Sequence, residues 1–381
     1  MLPYGFTYVT TNLYQSGSTP NSILTELPFT GVNFTQQLNS VGSFQGHVLL
    51  SGMNSTQQNI FNGTLPGKTI LWVIYTDAEA GISSPIWSGV IWQREYDSQS
   101  QSLAISAQEM IGLYDKRLIS EDKDYDTTAT DPCVIAKNLM LYAEAKTHGS
   151  TGLTYGLPVT AGTTIHKKYN GYELKPVFQA IKDLSENFFD FAIKPVYDSN
   201  SNLVNQFVMG VPLGIVYANT PGLAQVLQFP GNIISYKFPE DAVNAANILY
   251  GLGTGANSSK LQAKAISTDF ITSGDWPLLE DRTNYTDITN SALLSSLTLG
   301  KLQAIAYPPT TVEVVLSPYI DPVFPLYSIG DEIRVDIKDD YFPGGLNGVI
   351  LRIVGISVNP GETGPARITL TLTRQLTAGT V

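Results

Sequence analysis

Along the first hundred residues, apolar side chains recur at every second position or in short runs divided by polar turns. Gly46–Ser51 reads as a short apolar strand, followed by the turn-rich NSTQQNIFNGT. Thr69–Tyr75 and Ile86–Gln93 read as strong strands rich in Trp, Ile and Val. DSQSQS at 97–102 is a polar turn, after which Leu103-Ala-Ile-Ser-Ala alternates with period two. Strands joined by turn chemistry predict a barrel or sandwich. Trp72, Trp87 and Trp92 are expected to fill its core or cover an interface; a stacked-sugar role is the weaker alternative.

The period changes after Asp131. PCVIAKNLMLYAEA carries Val134, Ile135, Leu139, Leu141 and Tyr142 at helical spacing, with Pro132 in the first turn and Asp131 as N-cap. A second helix is predicted over Lys175–Phe189, with Val177, Phe178, Ile181, Leu184 and Phe188 on one face. Phe191–Tyr197 and Leu203–Val208 flank DSNSN and read as a hairpin. This middle segment is an α/β insertion between two β-rich parts.

The last stretch is the most regular. Ile333, Val335 and Ile337 alternate with Glu332, Arg334, Asp336 and Lys338, giving one buried and one wet face. Val349–Val358 is mostly apolar, broken by Arg352, Gly355 and Ser357, and Arg367–Arg374 alternates again. With Thr311–Leu316 these make four strands joined by Pro/Gly turns, a small closed or nearly closed barrel. Ser291–Tyr307 is helical in pattern and is expected to pack on that barrel or link it to what precedes. The predicted class is mainly β with an α/β insertion (α+β). Its parts are an N-terminal β-barrel domain over 1–118, an α/β insertion domain over 119–215, a β-hairpin and helix linking region over 216–305, and a C-terminal small β-barrel over 306–381.

Composition narrows the function. With 381 residues the chain can hold two or three domains with real cores. Charged residues are 14%, against about a quarter in soluble proteins. Such a polar, weakly charged surface suits cover by neighbouring subunits. The net charge of −11 comes without any Lys/Arg cluster, which argues against nucleic-acid binding. One cysteine excludes an intrachain disulfide. The start, MLPYGFTYVTTN, lacks a basic region and an apolar core, so no signal peptide is expected. The longest apolar run, Ile70–Tyr75, is too short to cross a bilayer, so no membrane anchor is expected. Asn33-Phe-Thr and Asn284-Tyr-Thr read as chance sequons in an Asn/Thr-rich chain.

Candidate chemistry is sparse. GLGTGA, from Gly251 to Ala256, is one letter from a dinucleotide fingerprint, which needs a strand, a glycine turn and a helix. Leu261, Ala263 and Ala265 follow at every second position, with Lys260, Gln262 and Lys264 between them, so a strand comes next and the glycines read as hairpin chemistry. Asp122, Asp124 and Asp126 have calcium-loop spacing, yet Thr127 replaces the turn glycine and Cys133 the bidentate Glu; a solvated acidic loop is the reading. His47, His148 and His166 are too scattered for zinc. No G-x-S-x-G elbow is present, and Cys133 sits in a helix without a base. Asp275 and Asp281 bracket WPLLE, a pairing that sequence alone does not decide for glycoside cleavage. No catalytic, cofactor-binding or metal residue is assigned, no cofactor is expected, and the chain reads as no enzyme.

Order of motifs adds a resemblance. WSGVIWQREYDSQSQSLAISAQEMIGLYDKRLI (87–119) resembles a segment of minor tail proteins from long-tailed phages of actinobacteria, with a Tyr-x-x-Arg helix start. LSENFFDFAIKPVYD (184–198), NAANILYGLGTGA (244–256), DWPLLEDRTNYTDITN (275–290) and the closing SIGDEIRV with LRIVGISVNPGETGPARITLTLTR are similar to later segments of that family. The similarity runs from Phe29 to Arg374. It implies a baseplate, or tail-tip, hub of a siphophage virion: a homotrimer whose two tube-like β-barrel domains per chain let a threefold cap match a sixfold tube. Implied partners are distal tail and tail tube proteins, the tape measure protein C-terminus, other minor tail proteins, and DNA passing during ejection without specific binding. An acidic wall would suit such passage. The chain is expected to end with its last barrel strand, leaving no room for a fused lysozyme or peptidase. The alternatives are a receptor- or glycan-binding tip adhesin and, behind it, a cell-wall hydrolase.

Overall fold

Period-two alternation sets the strands that open the chain. The computed structural model describes residues 4–14, 22–50, 57–77, 81–217, 225–268, 276–286, 288–306, 311–361 and 365–374. The first strand group comprises β1 (Tyr4–Asn12), β2 (Thr25–Glu26), β3 (Phe29–Gln37), β4 (Ser43–Leu49), β5 (Thr69–Asp77), β6 (Ile82–Asp97) and β7 (Ser102–Glu109). They pair antiparallel in the order β2-β1-β5-β6-β7-β4-β3. The segment expected as turn before β5 contains a short helix, α1 (Gln57–Gly63). β4 alternates strictly, while β5 is buried on both sides. The reason is position. Leu71, Val73 and Tyr75 enter the core of the large sheet, and Ile70 and Trp72 enter a second core under the insertion.

That insertion holds β8 (Lys123–Thr130), α2 (Pro132–Ala145), β9 (Thr154–Tyr155), β10 (Ile165–Tyr169), α3 (Val177–Phe188), β11 (Asp190–Tyr197) and β12 (Leu203–Gly210). The Asp131 carboxylate caps α2 by accepting from the Cys133 amide at 2.8 Å. The buried face of α2 differs from the expected one: Ile135 and Leu139 are inside with Cys133, Ala136, Met140 and Ala143, whereas Val134 and Leu141 are 45% and 43% exposed. β11 and β12 form the expected hairpin, and β9 adds to β12 in parallel.

The remaining elements are β13 (Val226–Phe229), β14 (Ile233–Lys237), β15 (Ile248–Leu252), β16 (Gln262–Ile266), β17 (Glu280–Asn284), α4 (Ser291–Ile305), β18 (Thr311–Leu316), β19 (Glu332–Ile337), β20 (Leu346–Asn359) and β21 (Arg367–Thr373). The four strands read from sequence gain two more, giving β13-β19-β20-β21-β18-β14. α4 does not pack on this group. It covers one face of a separate small sheet, β16-β15-β17, through two clusters, Leu249, Ala265 and Leu302, and Ala263, Ile288 and Leu294.

The class is mainly β with an α/β insertion. Among the described residues neither expected barrel closes, and the two strand groups join in one continuous 13-stranded sheet. β20 is the reason. Its first half pairs with β19 up to Glu332↔Arg352, then a register shift hands the same strand to β3 from Gly355↔Gln37 to Val358↔Phe34. Among the described residues no ladder closes either group. The large-sheet core is correspondingly single, running from Tyr8, Phe34 and Trp87 to Ile353, Leu370 and Leu372.

Candidate functional site

The residues singled out in the sequence do not converge. GLGTGA joins β15 to antiparallel β16, the expected hairpin. Its glycines answer packing: a Cβ on Gly251 would lie 1.9 Å from Thr298 Oγ1 of α4, and Gly255 has φ +116°. Asp122 accepts from the Gly171 amide, 49 residues away, and Asp124 accepts from the Asp126 and Thr127 amides, so one carboxylate ties two segments together and the other closes a local turn. His166 Nδ1 lies 2.7 Å from the Asp126 carbonyl, and the His148 ring meets the Tyr14 ring at 5.0 Å with a tilt of 55°. Among the described residues no three His, Cys, Asp or Glu side chains gather to hold a metal ion. Cys133 is buried, and burial with Asp131 beside it pushes its thiol up to about 12, far from a reactive thiolate. Asp275 lies outside the described residues; Asp281 is exposed and accepts from the Arg282 amide. Trp72 and Trp87 are fully buried and donate to Thr11 Oγ1 and the Thr35 carbonyl, which removes them as an exposed sugar platform. Trp92 is partly buried against the second core.

The Tyr-x-x-Arg motif is a structural clasp. Tyr114 lies in a 3₁₀ segment, Met110–Lys116, rather than at an α-helix start. Its hydroxyl donates to Glu144 Oε1 at 2.7 Å, and Arg117 meets the same oxygen at 2.6 Å. Thr151 donates to Glu144 Oε2 through both its amide and its hydroxyl. Burial, with the Glu144 charge next, pushes the Tyr114 phenol well up.

A more central arrangement joins the three parts of the fold. Arg352, from β20, meets Asp190 at the start of β11 at 2.6 Å, with side chains only 10% and 15% exposed. Its Nε donates to the Gly330 carbonyl and a terminal nitrogen donates to the Leu213 carbonyl. Asp190 also accepts from Asn39 Nδ2 at 2.8 Å and from the Leu213 amide. Asn39, in the turn after β3, has φ 56° and accepts from the Phe191 amide at 2.7 Å. Asp331 and Glu332 continue the seam by accepting from the Ile215 and Tyr217 amides. Arg352 and Asp190 pair with each other, and the Asp331 and Glu332 carboxylates accept backbone amides, so each buried charge is hydrogen-bonded, the condition under which burying it is tolerable.

Beside this seam lies a cavity of about 200 Å³, with walls from β3, β6, β7, β11 and the 324–329 loop. Glu109, at the end of β7, accepts from the Gly42 amide at 2.6 Å. Burial pushes its carboxyl up to about 8, against a lesser opposing effect of the Gly42 and Gln37 amides. Lys194, from β11, lies 3.4 Å from Ser328 Oγ, and the Tyr327 hydroxyl is buried without a hydrogen-bond partner. Sequence reading missed all of these residues. The signals were faint: Arg352 breaking an apolar run, and an Asn in the Leu-Asn-Ser turn where φ is positive.

Neither a family model nor a curated protein sequence matches the chain. Solved structures do. The chain is similar to the tail protein from Neisseria meningitidis MC58, with a TM-score of 0.64 at 13% identity over 97% of this chain and 98% of that one. The 43 kDa tail protein of prophage MuSo2 from Shewanella oneidensis matches with a TM-score of 0.58 at 11% identity, over 97% and 98%. An E. coli protein, c3393, described as a component of the type VI secretion system similar to T4 bacteriophage tail proteins gp27 and gp5, matches with a TM-score of 0.50 at 11% identity, over 96% and 76%. The chain therefore has the fold of phage tail proteins.

Proposed function

We propose that this chain is the structural hub of a phage tail tip, and that three copies cap the tail tube. The observation that carries this reading is that the fold match takes in 97% of the chain and 98% of a tail protein, strand groups and insertion alike. The reading places the chain in the virion tail, bound to tube and distal tail proteins, the tape measure C-terminus and other tip proteins. Two strand groups per subunit support a threefold cap on a sixfold tube, because three subunits present six such groups. The net charge of −11 supports passage of DNA past the wall without adhesion. A siphophage of actinobacteria is the particular source that the motif order favours. The role is structural and non-enzymatic.

Native mass spectrometry of the purified chain, and of tips released from virions, tests the assembly. The expected species is three times 41.4 kDa, in solution or on the assembled tip. A stable dimer would remove the symmetry argument. An adhesin is the second reading, favoured by exposed Tyr172 and Tyr341 at 81% and 63%. Glycan-array binding by the isolated chain would raise it above the hub.

A further inference from the structure

We infer that the cavity between β7, β11 and the 324–329 loop is a binding site for a small zwitterion whose ammonium and carboxylate groups are separated by a short alkyl chain, an ω-amino acid in chemical class.

Size sets the first bound. An ordered water takes about 30 Å³, so roughly 200 Å³ is more than one or two waters fill, yet it is below the ~300 Å³ of drug-sized pockets. Charge sets the second. The charged residues lining the cavity are Glu109 on the β7 wall and Lys194 on the β11 wall. They make no ion pair with each other, and the Glu109 carboxyl answers to burial and two amides rather than to Lys194. Once Glu109 ionises, it and Lys194 are opposite charges on separate walls, neither neutralised by the other, complementary to a ligand carrying both in reverse. Its ammonium would sit on Glu109, already fixed by the Gly42 amide, and its carboxylate on Lys194. Ile86, Ile111 and Ile193 supply apolar wall for the methylenes. The third observation is Tyr327. It lines the same cavity, is 2% exposed, and its hydroxyl has no hydrogen-bond partner. A buried polar group left unmade calls for one.

The test is isothermal titration of the full chain with 4-aminobutanoate and 5-aminopentanoate, beside n-butylamine and butanoate. We expect the zwitterions to bind at least about tenfold tighter than either single-charge analogue, since each loses one charge-assisted contact. Glu109→Gln and Lys194→Met should each weaken the zwitterion about tenfold or more. Tyr327→Phe should weaken it a few-fold while leaving the fold intact, which a purely structural role for that hydroxyl would not produce.

Binding should also tighten about tenfold per pH unit from 6 toward 8 and level above, because the bound ammonium requires ionised Glu109. Lys194 across the cavity and the Tyr327 phenol, which burial pushes well up, are the other titratable groups lining it. If Glu109→Gln fails to fold, half-buried Lys194→Met and the pH profile decide the matter. The proposal is overturned if no zwitterion binds at millimolar concentration, if butylamine binds equally well, or if Lys194→Met and pH leave the affinity unchanged.

Discussion

Arg352 and Asp190 show how a single residue pair ties distant parts of the chain. They are 162 positions apart, yet one ion pair of 2.6 Å links the large sheet to the insertion. Arg352→Met leaves the Asp190 charge buried without its partner, so a loss of about 3 kcal/mol is expected in urea denaturation. The double variant with Asp190→Asn should lose less than the sum of the singles, since the second change removes the stranded charge. Glu109 gives a pH signature. Its folded carboxyl keeps its proton up to about pH 8, whereas in the unfolded chain it is released near the ordinary 4.5. Between those values the native state binds the extra proton, so stability falls as pH rises from about 4.5 to about 8 and is level outside that window. Glu109→Gln should flatten that slope; an unchanged slope in thermal melts would show that Glu109 is not its source.

At the scale of elements, GLGTGA illustrates how a motif takes its meaning from what packs on it. The hairpin was readable from Leu261, Ala263 and Ala265 alternating after the glycines. The demand for glycine at 251 was not, because it comes from Thr298, 47 residues on, whose Oγ1 donates to the Leu294 carbonyl at 2.6 Å and leaves no room for a Cβ. Gly251→Ala should therefore destabilise the β15–α4 contact by about 1–3 kcal/mol, and Thr298→Ala in the same chain should recover most of it. Helix α2 makes the same point. Its span and cap followed from Asp131-Pro132, but which apolar residues faced inward depended on the neighbours, and Val134 and Leu141 turned out to face solvent.

For the whole molecule, the shared core predicts shared unfolding. All four tryptophans precede β18, at 72, 87, 92 and 276, so their fluorescence does not directly report the closing strands. Leu370→Ala, in β21, removes a fully buried side chain from the common core and should lower stability by about 2–5 kcal/mol. Tryptophan fluorescence and far-UV circular dichroism should then shift to one lower midpoint together. A tryptophan transition left at its original midpoint would mean that the two strand groups unfold independently.

Local pattern by itself determined the mainly β class, the insertion with its two helices, the hairpins, and the lack of any motif with complete catalytic spacing. These depend on periodicity, caps and turn chemistry, which act within a dozen residues. Tertiary structure alone decided that two expected barrels share one sheet and one core. It also decided where α4 packs, that Arg352, Asp190 and Asn39 meet, and that Glu109 and Lys194 line one cavity. Such meetings are fixed by strand pairing between residues tens to hundreds of positions apart, and no local period encodes a register of that range.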